Sequence, residues 1–219
     1  MYIKITKITI AVLLWLWIIL YLLYKFWFLR NPQREKINDN TKFISPANGK
    51  IVQILKRDNT NWNIKIPVIK KHHQAFKTFT NDVANSWYLI SIMMTPLDIH
   101  YQRAPISAKL INQTHTDWKF LNAIKLNQIN NVVFENERNE MLREAKDWFK
   151  FKVIQIAWKL ARRIVSMTKI WNTVKQWETI WLIKFWSQVT IILPQKNIDL
   201  LAKVWDIVID WQTILANIK

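Results

Sequence analysis

Tryptophan stands at many of the places where this chain is expected to turn. The chain has 14 Trp and a single Gly in 219 residues, whereas glycine normally makes up about 7% of a protein. Several tryptophans adjoin Asn or Asp between apolar runs, where Asn-Gly or Asp-Gly pairs close tight turns that need a positive φ angle. A Trp side chain makes a positive φ costly, so the chain as written is short of residues for tight turns. These tryptophans are Trp62, Trp118, Trp148, Trp171, Trp205 and Trp211.

A ten-residue pattern occurs twice in the C-terminal half. Residues 171–180 (WNTVKQWETI) match residues 205–214 (WDIVIDWQTI) at a spacing of 34 residues. With Gly in place of Trp, both become G-(N/D)-x-V-x-x-G-x-T-I, which is similar to the hairpins of biotinyl- and lipoyl-type barrel-sandwich domains. The pattern therefore predicts hairpins of this kind.

We hypothesise that most of these tryptophans are glycines. They would be written as Trp because UGA codons that the cell of origin reads as glycine were translated as tryptophan. The alternative is a genuinely Trp-rich protein, whose indoles belong on strand faces and in the core. Trp15, Trp17 and Trp27 lie in an apolar run, which accepts either residue.

Composition narrows the function classes. At 51% apolar residues the chain can bury a core, and the absence of Cys excludes disulfides, cysteine-ligated metals and a cysteine nucleophile. No metal-ligand spacing is present, so no metal is expected. The formal charge of +17 favours an anionic partner, unless it reflects biased composition and a solvated basic face. The basic residues are dispersed without a recognition motif, so nucleic acid is not the expected partner.

The N-terminal segment predicts a membrane anchor. Residues 8–24 are uncharged, and extension of the run to Leu29 gives about 30 Å of helix, enough for one span. Bulky residues follow the run where a signal peptide would have small ones, and a buried helix of a soluble protein is the alternative. Basic residues are more numerous after the run than before it, which predicts a body on the cytoplasmic side of the inner membrane.

The remainder reads as a β-rich body. We expect an anchor over residues 1–30, a polar linker over 31–41 and one domain over 42–219. The fold class is α+β and β-rich, with barrel-sandwich-like hairpins in the C-terminal half and one transmembrane helix. The pattern also allows a helix at 118–126. The predicted strands are 50–56, 62–69, 88–95, 108–113, 131–135, 150–157, 180–185 and 188–194.

Five ordered segments resemble the short bacterial and archaeal form of the phosphatidylserine decarboxylase family. They cover nearly the whole body from about residue 31. Trp118, Trp158, Trp171, Trp177, Trp181, Trp186, Trp205 and Trp211 fall where glycine is expected in this family. The segments are residues 43–50 (FISPANGK), 90–105 (ISIMMTPLDIHYQRAP), 135–139 (ENERN), 153–165 (VIQIAWKLARRIV) and 181–189 (WLIKFWSQV).

The resemblance implies a proenzyme that cuts itself between Trp186 and Ser187. The Ser187 hydroxyl would attack the preceding carbonyl, giving a β chain of residues 1–186 and an α chain of residues 187–219. The new N-terminus of the α chain would become a pyruvoyl group, so neither a metal nor pyridoxal phosphate would be needed. Its carbonyl would serve as the electron sink when phosphatidylserine loses CO₂ to become phosphatidylethanolamine. The partners implied are the membrane, an anionic serine phospholipid and the two cleaved chains, and a homo-oligomer is compatible with the sequence.

The resemblance also suggests site residues. His100 matches the family histidine and is the candidate general acid. Arg103, Arg162 and Arg163 are candidates for binding the lipid phosphate or carboxylate, with structural ion pairs as the alternative.

One position departs from the family pattern. The aspartate of the family's S-P-A-D-G segment, which belongs to the implied processing triad, is Asn48 here. An amide cannot act as a carboxylate base. An inactive paralogue is therefore one alternative. The two repeated hairpins motivate another, a membrane-tethered barrel-sandwich adaptor without catalysis.

Overall fold

The computed structural model describes residues 2–58, 80–116, 136–157, 164–166, 169–183 and 187–219. The predicted strands at 62–69 and 131–135 and the predicted helix at 118–126 lie outside these residues. Backbone contacts divide the chain into two units, Met1–Gln33 and Arg34–Lys219.

The N-terminal unit is a single apolar helix. Helix α1 spans Tyr2–Leu22 and continues as a π-helical segment over Leu23–Phe28. The part from Lys7 to Phe28 is long and apolar enough to cross a membrane, and most of its large apolar side chains are exposed. A soluble unit would bury such a surface, so the helix is suited to association with a bilayer. This confirms the apolar helix expected at the N-terminus.

The second unit is built from antiparallel strands, which confirms the β-rich class. Eight strands form one sheet in the order β13-β2-β3-β11-β7-β6-β5-β9, and two three-stranded sheets have the orders β1-β14-β12 and β4-β10-β8. The strands are β1 (Lys42–Ile44), β2 (Gly49–Arg57), β3 (Trp87–Met94), β4 (Tyr101–Arg103), β5 (Ala108–Thr116), β6 (Arg138–Glu144), β7 (Lys150–Ala157), β8 (Ile164–Ser166), β9 (Thr173–Val174), β10 (Thr179–Ile183), β11 (Ser187–Pro194), β12 (Ile198–Leu200), β13 (Ile207–Val208) and β14 (Ile214–Ile218).

One face of the large sheet carries the core. Alternate residues of the central strands β3, β11 and β7 point to this face, among them Ile92, Val189 and Val153, and all three are fully buried. Phe43 of β1 contacts Phe151 of β7 edge to face, with ring centroids 5.1 Å apart. Ile180 and Trp181 of β10 belong to the same buried cluster. Both three-stranded sheets therefore pack over this face of the large sheet.

Tight turns join many of these strands, and tryptophan occupies them. Five of the ten tryptophans in the described residues have positive φ. Asp147 and Trp148, both at φ 59°, connect β6 to β7, which is the geometry that Asp-Gly provides in a two-residue hairpin. The other four have φ between 68° and 79°, namely Trp171, Trp177, Trp205 and Trp211.

These four tryptophans lie in two similar pairs of turns. The first turn pair comprises residues 169–172 and 175–178, and the second comprises residues 203–206 and 209–212. In every turn Trp is the third residue, and the fourth residue's N–H donates to the first residue's carbonyl, over 3.1–3.3 Å. A positive φ at the third position is the requirement that glycine meets in type II turns.

Candidate active site

One end of the large sheet brings several strand termini together. Strand β11 begins at Ser187, which pairs with Met94 at the end of β3 and with Ala157 at the end of β7. Strand β2 begins at Gly49 beside the same end of β3, since Lys50 pairs with Met93. Antiparallel pairing thus collects at this end residues that are far apart in sequence.

Gly49, the chain's one glycine, lies where no other residue fits. Its φ is 148°, and a Cβ there would approach the main-chain oxygen of Met93 to 2.3 Å. The lack of a Cβ at Gly49 therefore lets β2 lie close to β3 at the end of the sheet that also carries Ser187.

Ser187 is fully buried on the core face of the large sheet. Its hydroxyl donates to the thioether of Met94, with 3.5 Å between Oγ and Sδ. A thioether is a weak acceptor, so this oxygen is held without a strong partner among the described residues. A buried hydroxyl in such a setting is suited to act as a nucleophile once a base removes its proton.

His100 is also fully buried, immediately before β4. Its Nδ1 lies 2.8 Å from the carbonyl of Asp98 and donates to it, which leaves Nε2 as the basic ring nitrogen. The Asp98 carboxylate accepts hydrogen bonds from the N–H and hydroxyl of Thr95, which fixes the turn between β3 and β4. The adjacent Tyr101 pairs with Leu182 of β10, five residues before Ser187.

Asn48 lies at the start of β2 in a buried polar cluster. Its amide donates to Asp210, with 2.7 Å between Nδ2 and Oδ1, and its carbonyl accepts from Arg34 at 2.9 Å. Arg34 also forms an ion pair with Asp210. The structure therefore places a carboxylate beside the position where the sequence has an amide.

Arg103 belongs to the same cluster. Its Nε lies 3.4 Å from Asp210 Oδ2, and its Nη1 donates to the Thr179 hydroxyl. The guanidinium also lies over the Trp211 ring, 4.5 Å from its centroid. Burial lowers the pKa of Arg103, and the Asp210 carboxylate opposes that shift.

The remaining predicted site residues, Arg162, Arg163 and Trp186, lie outside the described residues. Sequence reasoning missed Asp210 and the buried amides of Gln102 and Gln155, which are bonded to each other at 2.7 Å. The internal repeat offered one signal, because Asp210 replaces the Gln176 of the first copy. In the part of the chain that the structure describes, no three His, Asp or Glu residues come together as metal ligands.

The sequence of the chain is similar to those of proteins in a known family. The sequence model of a family described as phosphatidylserine decarboxylase matches residues 23–216. The phosphatidylserine decarboxylase proenzyme of Carboxydothermus hydrogenoformans is 28% identical over 207 residues, covering 94% of this chain and 85% of that protein. A putative archaetidylserine decarboxylase proenzyme of Methanothermobacter thermautotrophicus is 31% identical over 193 residues, covering 86% and 78%. One from Methanocaldococcus jannaschii is 30% identical over 201 residues, covering 89% and 90%.

Proposed function

The chain belongs to the phosphatidylserine decarboxylase family, and from that membership we propose a self-cleaving, membrane-anchored enzyme that removes CO₂ from a serine phospholipid. Family membership implies a decarboxylase of phospholipid metabolism that is made as a proenzyme. The observation that supports self-cleavage most directly is Ser187, buried at the start of β11 with only a thioether accepting its hydroxyl hydrogen bond among the described residues.

Self-cleavage would proceed in three steps. The Ser187 oxygen bonds to the carbonyl carbon of residue 186, the amide bond breaks, and the hydroxyl proton goes to the freed amine. The resulting ester then loses the α-proton of Ser187 and its Cβ–O bond, which releases residue 186 as a carboxylate and leaves a dehydroalanine. Water hydrolyses the imine tautomer of that residue, and ammonia leaves. The products are ammonia, a β chain that ends in a carboxylate and an α chain that begins with a pyruvoyl group.

The surroundings of Ser187 fit such a group. The flanking residues Met94 and Ala157 are almost fully buried and apolar, so a small uncharged acyl group is accommodated where a charged amine would be poorly solvated. When present, this group supplies a carbonyl that accepts electrons as the substrate carboxylate leaves. His100 is proposed to deliver the proton that the substrate α-carbon then needs, from Nε2.

Substrate binding is proposed to rest on arginines. Arg162 and Arg163 follow the Ala157 end of β7 in the sequence, and guanidinium groups suit bidentate contact with phosphate or carboxylate. Arg103 remains proposed for the same role, with its present contacts to Asp210 and Thr179 fixing its orientation. Asn48 is proposed to orient this cluster through Asp210.

Membrane attachment fits a lipid substrate. The apolar helix is proposed as an anchor over residues 1–30, with the domain of residues 42–219 on the cytoplasmic side of the inner membrane. The net charge of +17 favours an anionic bilayer surface. The names of the relatives, phosphatidylserine and archaetidylserine decarboxylase, are consistent with a substrate defined by its serine headgroup.

We propose that the cell of origin inserts glycine at position 186 and at the turn positions that are written here as Trp. Attack on the preceding carbonyl needs little side-chain bulk at residue 186. The positive φ angles of Trp148, Trp171, Trp177, Trp205 and Trp211 favour glycine at these five positions. Trp181 is proposed as glycine from the family motif alone, because its ring is buried in the core, where a genuine Trp also belongs.

The test is to make the full chain in detergent in two versions, one with Trp186 and one with Trp186→Gly. Cleavage before Ser187 should divide the 219 residues into fragments of 186 and 33. The mass of the short fragment should show a pyruvoyl group in place of serine, and serine-lipid vesicles should release CO₂. Ser187→Ala is the matched control and should abolish both cleavage and CO₂ release.

Failure of both versions to cleave, while the chain stays folded, would overturn the proposal in favour of an inactive paralogue or an adaptor. Direct sequencing of the chain isolated from its own cell tests the glycine proposal separately. Tryptophan at positions 171, 177, 205 and 211 there would refute it.

A further inference from the structure

Four side-chain amides form a directed chain of hydrogen bonds that ends beside Ser187. Gln113 Nε2 donates to Asn139 Oδ1 over 3.2 Å, and Asn139 Nδ2 donates to Gln155 Oε1 over 3.5 Å. Gln155 Nε2 donates to Gln102 Oε1 over 2.7 Å, and Gln102 Nε2 points to Met94 Sδ at 3.9 Å. Each amide thus donates to the next along the chain, towards the strand end that carries Ser187.

The sheet register explains how distant residues form this chain. Gln113 lies two residues before His115 on β5, and His115 pairs with Asn139 of β6. Asn139 in turn pairs with Gln155 of β7, and Gln155 pairs with Val189 of β11. Val189 lies two residues after Ser187, so Gln155 and Ser187 point to the same face. Gln102 reaches this face from β4 of a separate three-stranded sheet.

The last donor in the chain is poorly matched. Gln102 is fully buried, and within the part of the chain that the structure describes its N–H meets a single acceptor, the thioether that also accepts the Ser187 hydroxyl. A buried N–H that meets only a weak acceptor costs stability. Gln155 and Asn139 are almost fully buried as well, so the chain is held out of water along most of its length.

A buried N–H held in this way is suited to stabilise a negative charge that forms only during a reaction. Hydrogen bonds in series polarise one another in a medium of low dielectric constant. The bond from Gln155 fixes the Gln102 amide with its oxygen turned away from Met94 and its N–H turned towards it. The donor side of the Gln102 amide is therefore already turned towards the strand end where Ser187 would generate a negative oxygen.

We propose that Gln102 is the oxyanion donor for self-cleavage and that Gln155 is the residue that positions it. When the Ser187 oxygen bonds to the carbonyl carbon of residue 186, the carbonyl electron pair moves onto its oxygen. The Gln102 N–H donates to that oxygen, and the donor returns to Met94 once the amide nitrogen has left with the hydroxyl proton. This inference rests on the proposed self-cleavage and adds to it the group that stabilises the charge.

The test measures self-cleavage of the full chain, which needs no pyruvoyl group. The proenzyme is synthesised in a cell-free system with detergent, in whichever of the Trp186 or Trp186→Gly versions cleaves, and the short fragment is followed on gels over time. Gln102→Met keeps the side-chain length and removes the donor, and cleavage should slow by about 100-fold or more. Gln155→Glu removes the bond that orients Gln102 and should slow cleavage by about 10-fold or more.

A third variant gives a signature that a merely structural role would not show. Gln102→Glu lacks a donor when it is ionised and regains one when it is protonated. Its cleavage rate, taken as a ratio to the parent chain, should therefore rise as the pH falls from 8 to 5. The matched control is Gln188→Met, a buried amide on the opposite face of β11 that donates to Thr190, and it should cleave at close to the parent rate.

The outcomes separate the two proposals. Cleavage of Gln102→Met within about twofold of the parent, with unchanged urea unfolding, would overturn the role of Gln102 and leave the proposed function standing. An equal loss in Gln188→Met would also overturn it. If neither parent version cleaves, the proposed function fails, and the role of Gln102 fails with it.

Discussion

The two turn pairs have the same backbone but different chemistry at one position. Residue 176 of the first pair and residue 210 of the second are equivalent in the repeat, and each precedes a tryptophan at φ of 69° or 68°. Both side chains are almost fully buried. The first is the neutral amide of Gln176, and the second is the carboxylate of Asp210.

Gln176 fastens backbone segments together. Its Nε2 donates to the carbonyls of Lys42 at 2.8 Å, Asp39 at 3.2 Å and Pro105 at 3.2 Å, while its Oε1 accepts from the Asp39 N–H at 2.9 Å. Asp210 instead connects side chains, namely those of Arg34, Asn48 and Arg103. The repeat thus supplies two similar turn pairs. The side chain at this position binds backbone segments in the first pair and side chains of the candidate site in the second.

Removing the Asp210 carboxylate should have the largest effect. Asp210→Ala leaves Arg103, which is 3% exposed, without its charged partner, and breaking a buried ion pair from one side costs about 3–5 kcal/mol. Urea unfolding of the full chain measures the loss. Asp210→Asn removes the charge but keeps an acceptor for Asn48, so it should lose stability, though less than Asp210→Ala. A stability of Asp210→Asn equal to that of the parent chain would mean that the charge is unimportant.

Gln176→Ala should have a smaller effect that does not depend on salt. It removes the hydrogen bonds to the carbonyls of Lys42, Asp39 and Pro105, of which the last two keep main-chain donors. The cost should be about 1–3 kcal/mol, and no charge is removed. The midpoint of urea unfolding should shift equally at low and high salt. A shift of the midpoint that changes with salt would contradict the neutral role assigned to Gln176.

Glycine at the outer turns should stabilise both pairs alike. Trp171 and Trp205 have φ of 74° and 79° and are 64% and 53% exposed, so replacement by Gly relieves backbone strain and loses little packing. Each substitution should raise the free energy of unfolding by about 1 kcal/mol. Replacement by Ala removes the indole but keeps the strain, and a gain with Ala equal to that with Gly would show that the indole itself was unfavourable.

The smallest effect should come from Asp39, which adjoins Gln176 in the first pair. Hydrogen bonds from the Thr41 hydroxyl and N–H, with a smaller contribution from Lys42, lower the pKa of Asp39 from 3.8 to about 2. Because the folded-state pKa is below the unfolded one, the stabilisation is present above about pH 4 and is lost as the pH falls towards 2. In Asp39→Asn the midpoint of urea unfolding should therefore change less with pH between 4 and 2 than it does in the parent chain. The same change with pH in both chains would exclude this contribution.

Local patterns predicted much of the fold. The strand over residues 150–157 was predicted with its observed limits, and those at 88–95 and 188–194 differ from β3 and β11 by one residue at one or both ends. Strand β6 was missed because its sequence, RNEMLRE, has one fully buried apolar residue, Met141, among polar ones. Its burial comes from pairing with β5 and β7, which no local pattern reveals.

The sequence by itself determined the turn positions, the main strands, the apolar helix and the family motifs, because these depend on residues close together along the chain. Tertiary structure decided which strand ends meet. It placed Ser187 beside Met94, gave Asn48 a carboxylate from a residue 162 positions away, and aligned Gln102 with Gln155. The physical reason is that strand order and register set these contacts, and both follow from the packing of the whole sheet.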